Sequence, residues 1–468
     1  MELPSYLRSI DQVLGAPTSV SLPASVNAPA SLNTTSGQVT VQPLPTQKAQ
    51  VKPKIRFMLV STHVKQYTGY SKISNGIIHE LAKVPYLEII HYGFQKHPQT
   101  PPDYRPYPPA SGTFGGVDDI DAAALEVPAE QGFGYKNLME IVKKKNPHII
   151  MIYNDMAVVS RFLEEIRKVA TPRPFKVWIY CDQVYDCQHQ GMIDILNRDA
   201  DRIFTFTSYW KKQLKEQGIT RPISILGHGF DPKMYFNVPR DVARKSLKLP
   251  EDAFVFMSLN RNQPRKRYDI MLMAFVEILV KYPTKPIVLL CICDKGEKGG
   301  WWLFEVFVRE LKKRGASIEQ FGNRLMVSSQ DMVFRDEDIN VLYNVADVGI
   351  STADGEGWGL CTFEQMGVGI PQVVPDLGGY KEYCNSKNSM LVKPKHSYYL
   401  PSVYSPVGGE AYVCDPHDVC LAMEEYLNDS EKRKAHGAKA VESVLAYTWS
   451  NAVMELVKRI EEEREELV

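Results

Sequence analysis

Asp354-Gly355-Glu356-Gly357-Trp358-Gly359-Leu360-Cys361-Thr362-Phe363-Glu364 is the stretch from which the rest of the chain can be read. Its three glycines fall at every second position. They permit backbone angles that a side chain would forbid and let a ligand approach the main chain closely. The amphipathic segment after them, 360–367, reads as a helix, so its first free N–H groups would point back into the glycine turn. Such a terminus is a phosphate site. Gly357, Gly359, Leu360 and Cys361 are therefore candidates for a phosphate cradle. Glu356 lies in the loop before the helix and Glu364 in its second turn. A carboxylate repels phosphate, so both suit hydroxyl groups. A ligand carrying a diphosphate and sugar-like hydroxyls fits this arrangement.

The positive charge such a ligand needs stands about ninety residues upstream. Phe254-Val255-Phe256-Met257-Ser258-Leu259-Asn260 is an apolar run with β-branched and aromatic residues, and reads as a buried strand. Arg261, Arg265, Lys266 and Arg267 come directly after it, before a helical pattern that begins at Ile270. Cations at the carboxyl end of a parallel strand sit where open α/β sheets bind ligands. Arg261 and Lys266 are expected to grip diphosphate oxygens from the side opposite the glycine turn. Arg265 and Arg267 are expected to face solvent.

Together, the carboxylates Glu356 and Glu364 and the cations Arg261 and Lys266 resemble the E-x7-E and R-x4-K patterns of the retaining glycosyltransferases of family 4 (glycosyl transferases group 1). Further stretches match in the order that family shows. Leu342 to Ser351 resembles its helix-to-strand lead-in. Gly369 to Val374, with Gly378 to Glu382, resembles the segment after its second carboxylate. Gly227-His228-Gly229-Phe230-Asp231 resembles its interdomain segment, and Tyr447 to Ser450 the start of its terminal helix. The resemblance runs from about Ile55 to the C-terminus.

It implies a GT-B architecture, two facing Rossmann-like α/β domains with doubly wound parallel sheets. It also implies transfer of a sugar from a nucleotide-sugar, with retained anomeric configuration, to an acceptor hydroxyl. The donor is a substrate, with a UDP- or GDP-sugar expected, and no cofactor is called for. By resemblance Glu364 would hold ribose hydroxyls and Glu356 the transferred sugar. Gly69 would lie near the donor phosphate or the acceptor, and His228 near the donor; the first domain, through Gly69, Asp182 and the loop 98–134, would present the acceptor. The family often carries a histidine at the end of the strand 176–180; here Cys181-Asp182-Gln183 stands there, and Asp182 is the candidate for that place. The alternative is a nucleotide-sugar-binding or scaffold protein on the same fold, without catalysis. A Rossmann oxidoreductase is disfavoured because no G-x-G-x-x-G follows Arg56-Phe57-Met58-Leu59-Val60.

The 468 residues suffice for two domains and a tail. Residues 12–47 carry no charge, are rich in Ser, Thr, Pro and Ala, and read as a flexible arm, preceded by a short helix around Tyr6 to Leu14. The expected domains are the arm 1–51, an acceptor-side domain 52–235 completed by a last helix 450–468, and a donor-side domain 236–449. The intervals 98–134 and 393–414 read as long irregular loops.

Lys+Arg and Asp+Glu both number 55, which argues against nucleic-acid binding driven by bulk charge. No apolar run nears the roughly eighteen residues of a membrane span, no secretory signal opens the chain, and eight scattered cysteines suit reduced thiols. A cytoplasmic protein is expected. Asp-x-Asp patterns at Asp119, Asp199 and Asp336 look misplaced for a metal, since none is expected to end a core strand, and no metal site is assigned.

Overall fold

A computed structural model describes residues 54–467, apart from 126–129, 170–171, 248, 251, 294–298, 329–333 and 404. The arm 1–51 and the helix near Tyr6 lie outside the described residues. The apolar runs form two parallel sheets. The first contains β1 (Ile55–Thr62), β2 (Leu87–Phe94), β3 (Val117–Asp121), β4 (Ile149–Asp155), β5 (Lys176–Asp182), β7 (Arg202–Thr205) and β8 (Ile223–Ile225), ordered β3-β2-β1-β4-β5-β7-β8. The second contains β9 (Phe254–Leu259), β10 (Ile287–Ile292), β11 (Leu325–Val327), β12 (Val348–Ile350), β13 (Gln372–Pro375) and β14 (Ser389–Val392), ordered β11-β10-β9-β12-β13-β14. Helices cover both faces, so the inner strands β1 and β10 are almost wholly buried; β10 is apolar throughout, and β1 is apolar from Phe57 to Val60.

In each sheet the strand order reverses beside its first strand, between β1 and β4 and between β9 and β12. Crevices at such switch points bind ligands. Asp182 ends β5, and the segments after β1, β9 and β12 carry Gly69, Lys266 and Glu356 respectively, so the two crevices supply one site from both sides.

Two loop expectations need correction. The interval 98–134 contains β3 and a short helix, Ala122–Leu125. Asp119 and Asp121 therefore lie in a strand, Asp119 at its middle and Asp121 at its end, but it is a half-exposed edge strand and not a core one. Both are engaged by neighbours: Tyr107 donates to Asp119 (2.9 Å), His63 lies 3.2 Å from it, and Lys96 lies 3.4 Å from Asp121. The interval 393–414 contains β15 (His396–Tyr399) and β16 (Gly408–Val413). They pair antiparallel, and β16 continues onto the short β6 (Asp186–Gln188), which comes after β5. A three-stranded sheet thus straps the second sheet's domain to the first.

The last helix, Trp449–Leu467, packs on the helix Gly69–Leu81. Any Cβ on Gly76 or Gly229 would collide with the Trp449 ring, so these glycines permit the docking. Glu455 accepts from Ser224 (3.1 Å), and Lys176 pairs with Glu463 (3.4 Å). No helix among the described residues is long and apolar enough to cross a membrane.

Candidate active site

The quoted stretch begins just beyond β12 and ends in the helix Leu360–Gly367. Gly359 adopts φ +86° at the helix start, a left-handed angle, and offers no side-chain cap. A Cβ there would strike Tyr380. The neighbouring glycines serve contact between the domains: a Cβ on Gly355 would meet Tyr185, and one on Gly357 would meet Asp182. Trp210 and Tyr383 pin the turn by donating to the carbonyls of Gly357 (2.8 Å) and Trp358 (2.7 Å). The helix Gly69–Leu81, capped by Thr68, begins where Gly69 faces Leu360. Two helix N-termini therefore meet in one interdomain cavity of about 260 Å³.

That cavity is lined by Gly69, Asp182, His228, Arg261, Lys266, Glu356, Gly359, Leu360 and Cys361. Of the sequence candidates, Gly357 contributes the backbone surface against Asp182, and Glu364 lines an adjoining cavity of about 270 Å³.

Glu356 is buried and ion-paired with Lys266 and with Arg265 (3.2 Å). Burial alone would raise its pKa, but the two cations outweigh it and hold the carboxyl at about 2. Burial, with Arg265 beside it, lowers the pKa of Lys266. The inward cation next to Lys266 is thus Arg265, which was expected to face solvent; Arg261 is the exposed one, at the cavity rim. The cause is local. The 3-10 turn Pro264–Lys266 closes on Arg267 at φ +47°, and Arg265 then donates to the Gly355 carbonyl at 3.2 Å. Arg267 turns to Asp269 (2.7 Å) rather than to water.

Asp182 ends β5 and faces Glu356 across the cavity. Tyr70 donates to its Oδ2 at 2.5 Å, while Oδ1 is buried against Gly357 without a hydrogen-bond partner. Burial pushes its pKa up to about 6, against the opposing pull of Tyr70 and Arg265. His228 is buried between Phe206 and Trp358 with neither ring nitrogen bonded, and burial lowers its pKa to about 3. It presents a neutral ring to the cavity.

Glu364 accepts from Tyr343 (2.8 Å) and from Lys72 at 3.0 Å to each oxygen. Burial raises its pKa in spite of Lys72. Lys72 also reaches Asp336 (3.5 Å), which Arg105 grips with two bonds of 2.8 Å. Tyr70, Lys72 and Arg105 escaped the sequence reading, and Asp336 entered it only within an Asp-x-Asp pattern to which no metal was assigned. For Lys72 there was a signal, because it lies one helical turn beyond Gly69. Arg105 lies in a proline-rich stretch without periodicity.

Residues 239–398 match the family described as "Glycosyl transferases group 1". Among characterised relatives, D-inositol 3-phosphate glycosyltransferase of Thermobispora bispora is 23% identical over 261 residues, 55% of this chain and 55% of that protein. The enzyme of the same name from Corynebacterium urealyticum is 25% identical over 221 residues, covering 46% and 45%. The chain spans about half the length of the curated relatives it matches. Among solved structures, sucrose-phosphate synthase from Thermosynechococcus elongatus superposes with TM-score 0.64 at 15% identity, over 87% of this chain and 99% of that one. An Anabaena protein solved in complex with UDP-glucose gives 0.61 at 14% identity, over 87% and 100%. These likenesses establish the GT-B fold, and the family match supports a place among the group 1 glycosyl transferases.

Proposed function

We propose that the protein transfers a sugar from a nucleotide-sugar to an acceptor hydroxyl, with retention of anomeric configuration. The observation that carries this reading is one cavity between two sheets. There Lys266, Arg265, Arg261 and the uncapped start of Leu360–Gly367 converge, with Glu356 beside them and Asp182 opposite. Lys72, Arg105, Arg261, Arg265 and Lys266 line the cavity against the carboxylates of Asp182, Asp336 and Glu356, which leaves a surplus of positive charge suited to a diphosphate.

Lys266, Arg265 and the backbone of Gly359 to Cys361 would hold the diphosphate. They are fixed before the leaving group's charge develops, so they stabilise it without reorganising. Glu364 would accept from ribose hydroxyls, sharing itself with Lys72. Glu356, held ionised, would accept from hydroxyls of the transferred sugar. The buried Asp182 carboxylate would stabilise positive charge at the anomeric carbon. Attack on the leaving group's own face, with a donor phosphate oxygen taking the proton, accounts for retention. That step rests on the family resemblance. A UDP-sugar is favoured because the Anabaena neighbour was solved with UDP-glucose and another with UDP-2-fluoro glucose. The relatives' names point to a polyol phosphate as one acceptor class.

A thermal-shift screen over UDP-, GDP- and ADP-sugars tests the donor assignment, since a bound ligand raises Tm by mass action. Proton NMR of the product made from the stabilising donor then reads the anomeric configuration. An inverted product, or no stabilisation by any of the three classes, would overturn the proposal. Donor affinity without transfer or hydrolysis would leave a binding protein on this fold.

A further inference from the structure

Tyr70 is the second residue of the helix Gly69–Leu81, and the start of that helix is held from two directions. Thr68 and Ser71 bond each other in a capping box. Arg105 donates to Ser71 Oγ (2.7 Å) and to the Gln66 carbonyl (3.2 Å), while its other nitrogens grip Asp336 of the second domain. The Tyr70 ring lies against Tyr153 of β4, with 5.2 Å between centroids. A side chain seated in this way has little freedom to turn, so its hydroxyl is delivered to one point. Asp182 Oδ2 stands there, 2.5 Å away. Both residues line the cavity of the candidate site and also a larger one beside it, about 900 Å³.

Among the described residues nothing else donates to that carboxylate, and Oδ1 is buried without a partner. The charged and titratable groups facing Asp182 are Tyr70 at the helix start, Tyr153 and Asp155 on β4, Tyr180 on β5 itself, Arg265 on the turn after β9, and Glu356 beyond β12. Arg265 is the one cation of this set and is paired with Glu356 (3.2 Å), while Asp155 and Glu356 repel a further negative charge. Burial, then those two carboxylates, push the Asp182 pKa up; the Tyr70 hydrogen bond is the foremost influence in the other direction, ahead of Arg265. A bond donated to a carboxylate favours its charged form. Burial and the neighbouring Asp182 charge also keep the Tyr70 hydroxyl protonated far above neutrality, so it stays a donor wherever Asp182 is ionised.

We infer that Tyr70 is a positioning residue for the transfer: its hydroxyl fixes the place of the Asp182 carboxylate and holds it in the charged form that a developing positive centre needs. The inference rests on the proposed part of Asp182 in that reaction. It also gives the Arg105–Asp336 contact between the domains a route into the site, because one helix start carries both Ser71, which Arg105 holds, and Tyr70.

Tyr70→Phe keeps the ring and its packing and removes only the donor. Losing a hydrogen bond to a charged group moves that group's pKa by about one unit or more. The acid limb of kcat/KM for UDP-glucose hydrolysis, the transfer of the sugar to water, should therefore move from near pH 6 to about pH 7 or above. The variant's loss against wild type should then be about fivefold greater at pH 6 than at pH 8.5, whereas a tyrosine that served packing alone would lower activity equally at both. A second measurement needs no substrate. Asp182→Asn is made in wild type and in Tyr70→Phe, and the Tm it adds is read at pH 3.5 and at pH 8. An ionised carboxyl with a raised pKa costs stability, and costs more once its donor is gone. The increment at pH 8 over that at pH 3.5 should therefore be larger in the Tyr70→Phe background. An unmoved acid limb, or equal increments in the two backgrounds, would overturn the assignment. Absence of any UDP-glucose turnover in wild type would instead strike the donor reading, and the Tm comparison would still decide whether Tyr70 holds Asp182.

Discussion

Asp182→Asn should stabilise the protein while slowing it. The carboxyl is buried, and its pKa stands at about 6 in the fold against an ordinary 3.8. A raised carboxyl pKa means that the folded state binds the proton more tightly than the unfolded one, so stability falls as pH rises from about 4 through about 6. The difference, at 1.36 kcal/mol for each pH unit, makes the ionised group cost about 3 kcal/mol at pH 8. Asparagine keeps the shape and can still accept from Tyr70, and it carries no charge to bury. The variant should therefore gain up to about 3 kcal/mol at pH 8, about 6–12 °C in Tm for a domain of this size. It should gain almost nothing at pH 3.5, where both side chains are neutral. Differential scanning fluorimetry at the two pH values reads this directly. Turnover should fall with UDP affinity unchanged, the mark of an interaction made mainly in the transition state. The acid limb of kcat/KM near pH 6 should also vanish in the variant. An equal Tm at both pH values would refute the burial argument, and unchanged turnover would place Asp182 outside the reaction.

Lys266→Ala should lower transfer by about a hundredfold or more, the scale of losing one contact to a developing anion, with some loss of Tm because Glu356 is left to Arg265; full activity in a steady-state assay would remove Lys266 from the site. Activity should survive EDTA, since the cations at the diphosphate supply the charge a metal would; loss on chelation and recovery with magnesium or manganese would show that assignment wrong. A chain beginning at Val51 should fold and keep its UDP affinity by calorimetry, because residues 1–50 lack the apolar periodicity needed to pack on a core; an insoluble product would give the arm a structural role.

The parallel strands other than β3 were legible because each holds an apolar run, and β9 and β10 carry their signal in the side chains themselves. The helix Leu360–Gly367 was legible for the same kind of reason, its start marked by a glycine that has to be left-handed. β3 was hidden because Val117-Asp118-Asp119-Ile120-Asp121 puts three carboxylates in five residues, which reads as a solvated loop; neighbours on the sheet edge take up those charges. β15 was hidden more deeply. All four of its residues are exposed, so no alternation of buried and open positions exists to be read, and its sheet is completed by β6 from the other domain. The spacing of Arg261 and Lys266 matched a family pattern, but that Arg265 points inward depends on one 3-10 turn, which the sequence does not encode as periodicity.

The least legible part of the site is also what holds it together. Lys72 on Glu364 and Arg105 on Asp336 join positions 292 and 231 residues apart. Each pair sets a first-domain cation on a second-domain acid, and removing one partner of such a buried pair costs about 3–5 kcal/mol. Glu364 anchors Lys72, and in the proposed reading it would also accept from a ribose. A ligand whose hydroxyls reach Glu364 has to share it with Lys72 or displace Lys72 from it. Displacement would weaken a contact between the domains, whereas sharing would add the ligand's own bonds to it. Tyr343 and Lys72 together leave room for sharing, because Glu364 has two oxygens with more than one lone-pair site each. On the proposed reading, the pairing of the domains and the affinity for the donor would therefore be coupled through one carboxylate. Neither the spacing of Glu356 and Glu364 nor the cations after β9 could have shown this, since the coupling lies in a lysine on the other domain.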